Sequence, residues 1–192
     1  RDFPEQVWQL VAHLDGTLPE THPFARVRLQ PEVASAPQVW LLGSSDYSAT
    51  LASQLGLRFA FAHFINPKGG DVVTQAFRDN YQPSAREPQP CAIVCTFAIC
   101  ADTDAAAERL ATSIDLRRLH MALNLDTPVP TLDEALAHRY SEEERSYVEG
   151  QRARAILGSP QTCRREIEAM AERYAADEVM VLTITGDYAS RL

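Results

Sequence analysis

The sequence predicts an α/β protein built on a parallel sheet with right-handed crossovers. Apolar runs at 39–42, 57–65, 91–101 and 179–185 read as four strands that are nearly continuous in apolar character instead of alternating, the pattern of strands covered on both faces. Stretches with helical spacing separate all four. Two architectures fit: an open doubly wound sheet, or part of a (β/α)8 barrel. The chain has 192 residues, whereas a whole barrel typically needs about 250.

The first helix begins at Asp2-Phe3-Pro4-Glu5, where Asp2 as N-cap and Glu5 three residues on make an approximate capping box. Val7, Leu10, Val11 and Leu14 follow at helical spacing, and Gly16 ends the element. Residues 17 to 37 carry Pro19, Pro23, Pro31 and Pro37 and read as a long connection, with a short extended piece at Val27 to Leu29. The first strand, Val39 to Leu42, leads into a helix from about Asp46 to Leu55 that buries Leu51, Ala52 and Leu55 and stops at Gly56. A second strand, Leu57 to Ile65, is followed by a turn at Asn66 to Gly70 and a helix marked by Val73, Ala76, Phe77 and Tyr81.

The run Cys91 to Ala101 is the longest apolar stretch and belongs in the centre of the sheet. Asp102-Thr103-Asp104 caps a helix running to about Leu119, with Leu110, Ile114 and Arg117 along one face. Residues 124–150 read as a helical insertion, with capping boxes at Thr131 to Glu134 and Ser141 to Glu144. Ser159-Pro160 starts a later helix, whose apolar face carries Cys163, Ile167, Met170, Ala171 and Tyr174. Val179 to Thr185 is the last strand.

Composition narrows the function. With 18 basic and 26 acidic residues the formal net charge is -8, which supplies no basic patch for nucleic acid or an anionic membrane. No apolar run approaches the roughly 20 residues of a membrane-spanning helix, and Arg1-Asp2-Phe3-Pro4 lacks the layout of a signal peptide. The expected compartment is therefore the cytoplasm. Cys91 and Cys95 share a strand face but lie about 13 Å apart, while Cys100 points the other way. These three neither bridge one another nor chelate one zinc, and all four cysteines read as buried, reduced thiols.

One stretch carries chemistry. Leu42-Gly43-Ser44-Ser45-Asp46-Tyr47-Ser48 is a strand, a turn of small residues and a helix start. The unpaired N–H groups of the first helical turn, the positive end of its dipole and the serine hydroxyls suit a phosphate. The plainer alternative is a strand-to-helix turn that Ser45 or Asp46 merely caps. No Ser-His-Asp arrangement, zinc spacing or Walker-type loop can be assembled.

Pro37 to Ser45 with Tyr47-Ser48-Ala49, then Leu55-Gly56-Leu57 and Phe59-Ala60-Phe61-Ala62, resembles the bacterial-luciferase-like flavin monooxygenase family. Ala101-Asp102-Thr103-Asp104, Gly158 to Thr162 and Asp177 to Val181 match in the same order. The resemblance implies that residues 1–192 are a single segment, the C-terminal half of a (β/α)8 TIM barrel, with its four strands as barrel strands five to eight. It assigns the phosphate of reduced FMN to Gly43, Ser44 and Ser45, with Tyr47 and Ser48 as further contacts. His63, at the end of the second strand, is expected to face the mouth and touch flavin or substrate, with a satisfied structural histidine as the alternative, and Thr183 and Thr185 near the end of the last strand are expected to line the pocket.

The implied reaction is oxidation of a small organic substrate by reduced FMN and oxygen, in a homodimer. Some relatives use the deazaflavin F420 instead, and a non-catalytic flavin-binding role is the alternative outside enzymology. The residues nearest the flavin reaction centre belong to the first four strands, so no catalytic residue is assigned. The sequence is therefore expected to be a fragment, or to receive the missing half barrel from another segment or chain.

Overall fold

The computed structural model describes residues 2–31 and 35–191; Arg1, residues 32–34 of the expected long connection, and Leu192 lie outside them. Its elements are α1 (Phe3–Leu14), β1 (Trp40–Gly43), α2 (Asp46–Leu55), β2 (Arg58–Ala62), α3 (Gly70–Asp79), β3 (Ala92–Cys100), α4 (Asp104–Ala122), α5 (Leu132–Ala137), α6 (Glu142–Arg152), β4 (Ala155–Gly158), α7 (Pro160–Arg173) and β5 (Glu178–Leu182). The five strands form one sheet, and every pairing is parallel.

β4 is a strand that the apolar pattern does not announce. Its place follows from the registers on β3: β2 pairs with residues Ala92 to Cys95, β5 with Ile93 to Phe97, and β4 with Phe97 to Cys100. A strand has two edges, and β5 overlaps both of the others. β2 and β4 therefore share one edge of β3 in succession, and β5 holds the opposite edge.

Alternation across the sheet separates two unlike faces. Leu41, Phe59, Phe61, Val94 and Ala98 meet Leu51 and Ala52 of α2, Phe77 of α3, and Cys163, Met170 and the adjoining Tyr174 of α7 in a single core. Gathering of α2, α3 and α7 on this one face, with α4 alone reaching part of the other, departs from the even two-sided layering of a doubly wound sheet. The other face carries Ala60, Ile93 and Cys95, flanked by Trp40 and Phe64. α4 covers that face only at its C-terminal end, where Ala107, Ala111 and Ile114 pack on Ile99. On its far side α4 meets α5 and α6 through Leu116, Leu119, Ala135, Tyr140 and Tyr147. Buried on both sides, α4 has no single apolar stripe.

Several expectations change. Asp2 lies in helical conformation and makes no capping bond, so the first capping box does not form, and Leu10 is exposed while Val7 and Ala12 are buried. Val27 to Leu29 is not a strand, and Val27 is exposed. Leu42 is 57% exposed and Met180 and Leu182 are exposed as well, so β1 and β5 are not covered on both faces in this chain. Cys95 and Cys163 are buried, but Cys100 is exposed at the end of β3. The capping boxes of α5 and α6 both form as the sequence predicts.

Candidate functional site

At the C-terminal end of β1 the chain turns through Gly43, Ser44 and Ser45 into α2. A Cβ on Gly43 would collide with the Ser48 side chain, so only glycine lets the turn close this tightly. Asn66, in the turn after β2, donates from Nδ2 to the Ser44 carbonyl at 3.3 Å and ties the two neighbouring strand ends together. Ser45 occupies the N-cap with extended backbone, yet its hydroxyl accepts no capping bond. Thr103, Thr131, Ser141 and Ser159 occupy the same position in α4 to α7, and each accepts from the third helical residue's amide. The first turn of α2 thus presents amides that the chain's own side chain does not cap. Ser45 and Tyr47 are exposed, and Ser44 and Ser48 are half-buried. Asp46, the first helical residue, is exposed, so water screens its charge.

A second strand-Gly-Ser-helix junction shows the contrast. At Gly158-Ser159 the Asp104 carboxylate accepts from the Ser159 backbone amide at 2.6 Å. That bond, together with the Ser159 and Thr162 side chains, holds the Asp104 carboxyl below the usual carboxylate range. An internal anion already fills the N-terminus of α7.

The structure places His63 elsewhere than the expected mouth. It is 3% exposed and points into the helix layer, with Nδ1 2.7 Å from the Tyr174 hydroxyl and Nε2 3.0 Å from the Ala153 carbonyl. Since the carbonyl can only accept, Nε2 carries the proton and Nδ1 accepts from Tyr174. Burial lowers the His63 pKa and keeps the ring neutral. Here the imidazole fastens β2 to α7 and to the end of α6. Its correction follows from alternation: residue 63 shares the helix-facing side with Phe59 and Phe61.

Thr183 donates to the Ala98 carbonyl at 3.0 Å, and Thr185 to the Asp187 carbonyl at 2.7 Å. The following Gly186 packs so closely on Ser113 and Pro130 that a Cβ there would lie 2.6 Å from the Ser113 hydroxyl. These threonines accordingly belong to the segment tucked against α4 and α5. The five turn residues stand together, whereas His63, Thr183 and Thr185 hold three other contacts.

The fold also brings forward residues that sequence reasoning missed. On the face opposite α2, α3 and α7, Phe64 packs edge-on against Phe97 at 5.5 Å, and the Arg118 guanidinium of α4 lies 5.1 Å over the Phe97 ring. Arg118 is buried and donates from Nη1 to the Gln151 carbonyl at 3.3 Å. With Asn66 two residues beyond Phe64, this aromatic wall runs on from the turn. Nothing in the spacing of residues 64, 66, 97 and 118 signals it. Among the described residues no group of three or more His, Cys, Asp or Glu could hold a metal, and no helix is long and apolar enough to cross a membrane.

Comparison with known proteins decides the family. The family model described as luciferase-like monooxygenase matches residues 7–177. The chain belongs to this family. It is 36% identical over 199 residues to an Escherichia coli (strain K12) protein named luciferase-like monooxygenase, covering 100% of this chain and 56% of that protein. It is 35% identical over 190 residues to the uncharacterized protein YceB of Bacillus subtilis (strain 168), covering 99% of this chain and 57% of that one. The crystal structure of apo-MsnO8 superposes with a TM-score of 0.87 at 30% identity, over 100% of this chain and 57% of that one. This luciferase-like chain therefore spans little more than half the length of the relatives it matches.

Proposed function

We propose that the chain is the phosphate-binding, C-terminal half of a (β/α)8 barrel in a flavin-dependent monooxygenase, with β1, β2, β3 and β5 as barrel strands five to eight. The observation that carries the cofactor reading is the uncapped first turn of α2, set against the N-terminus of α7 that Asp104 already fills. Family membership supports a cofactor phosphate as the anion that this open turn would hold. Gly43 lets the backbone close, the turn's amides and the hydroxyls of Ser44, Ser45 and Ser48 hold the anion, and Tyr47 stands at the rim. Asn66 fixes the turn through the Ser44 carbonyl.

When bound, reduced FMN would supply the reaction with oxygen that oxidises a small organic substrate. The residues of this chain anchor the cofactor's phosphate tail, orient it along the face carrying Trp40, Phe64 and Phe97, and keep water from that face. The exposed Leu42, Met180 and Leu182 on the same side suit a covering by the part of the barrel that the longer relatives possess. A homodimer working in the cytoplasm completes this reading.

Titration of FMN fluorescence against the chain joined to its N-terminal half tests it. Ser44→Asp places a like charge against the phosphate and is expected to weaken FMN binding at least tenfold, about 1.4 kcal/mol. Unchanged affinity, with the variant folded, would leave the turn purely structural. The same titration with F420 decides between the two cofactors, and uptake of neither overturns both. Binding of FMN without consumption of oxygen and reductant would mark the non-catalytic alternative.

A further inference from the structure

We propose that Cys100 and Cys163 are a peroxide-responsive thiol pair that closes to a disulfide across β3 and α7. Cys100 is the last residue of β3, and its register partner is Gly158 at the end of β4. The Cys163 sulfur lies 3.4 Å from the carbonyl oxygen of that same Gly158 and 3.7 Å from the carbonyl of Ile99, which is bonded directly to Cys100. Both side chains lie on one side of the sheet: by alternation Cys100 shares the face of Val94 and Ala98, and Cys163 packs in the core with those two residues. Cys95, by contrast, belongs to the opposite face.

The two thiols have unlike access. Cys100 is exposed and Cys163 is buried. Burial, and after it the adjoining Cys100 thiol, pushes the Cys163 pKa up to about 11. Cys100 therefore meets the oxidant, and Cys163 resolves the product. The Cys100 thiolate attacks one oxygen of hydrogen peroxide, the O–O bond breaks, and a sulfenic acid forms as hydroxide leaves. The Cys163 sulfur then attacks the sulfenic sulfur and displaces its hydroxyl, which takes the Cys163 proton and departs as water. Two thiols lose two electrons in all, and one peroxide becomes two waters. The bond ties the end of β3 to the first turns of α7 and encloses α4, α5, α6 and β4 in one covalent loop.

The chain is treated with hydrogen peroxide, unfolded, and its remaining thiols are counted with Ellman's reagent, followed by peptide mapping without reductant. The four free thiols are expected to fall to two, with the Cys100 and Cys163 peptides joined and reductant restoring all. Cys100→Ser, at an exposed position that packing tolerates, is expected to block the loss, and Cys91→Ser to leave it unchanged. Survival of all four thiols would overturn the proposal. So would a link between any other pair, a link between molecules, or conversion of Cys100 to sulfinic acid with Cys163 still reduced.

Discussion

Asp104 and Ser159 are 55 residues apart, yet the Asp104 carboxylate accepts from the Ser159 backbone amide at 2.6 Å. The contact joins the first turn of α4 to the N-cap of α7. It also satisfies an amide that would otherwise be left for solvent or a ligand. The two Gly-Ser junctions of this chain thus part company through the Asp104 carboxylate and the capping hydroxyl of Ser159.

Asp104→Asn is expected to lower the melting temperature at neutral pH. The folded-state pKa of Asp104 is held below its ordinary value. Its stabilisation is therefore complete above the unfolded pKa of about 3.9 and is lost as pH falls through the folded value. Wild type and variant should converge in melting temperature below about pH 3.9; a pH-independent gap would show that charge has no part in the contact.

Gly43→Ala is expected to destabilise the turn, because the new methyl group meets both the β-carbon and the hydroxyl of Ser48. Ser48→Ala retains that β-carbon and should not relieve the collision, whereas Ser48→Gly should. Thermal melts of the single and double variants separate the cases, and additive effects in the Gly43→Ala, Ser48→Gly pair would contradict the close approach.

His63 carries its own pH signature. Burial lowers its folded-state pKa below the ordinary value of about 6.5. Between those two values the unfolded chain binds more protons, so stability contributed here is complete above about pH 6.5 and declines as pH falls. Tyr174→Phe removes the hydroxyl from Nδ1 and is expected to cost about 1–3 kcal/mol in a denaturant titration at pH 7.5. His63→Phe should flatten the decline between about pH 6.5 and 5, and an equal slope in wild type would remove His63 from that account.

Leu41 and Leu42 are neighbours in β1 with opposite fates: 7% and 57% exposed. Leu41→Ala is expected to cost about 2–5 kcal/mol through cavity formation. Leu42→Ala should stay within about 0.5 kcal/mol in this chain. A large cost at Leu42 when the chain is fused to the N-terminal part of a longer relative, measured by the same denaturant titration, would show that such a part covers it.

By itself the sequence determined the order of the parallel α/β elements, β1, β2, β3 and β5 among them, the capping boxes of α5 and α6, and the Gly43 turn. Those features rest on interactions a few residues apart, where spacing and side-chain type are decisive. Tertiary structure alone decided that β4 lies on the edge β2 vacates, because Ala155 to Gly158 directly follows the charged Arg152 and Arg154 of the polar insertion and is held as a strand by its pairing with β3. It also decided the side to which His63 points, since a run of apolar residues without alternation does not reveal which face meets the helices. And only the fold could show that Asp104 fills the Gly158 turn while the Gly43 turn stays open, because hydrogen bonds between residues 55 apart leave no periodicity to read.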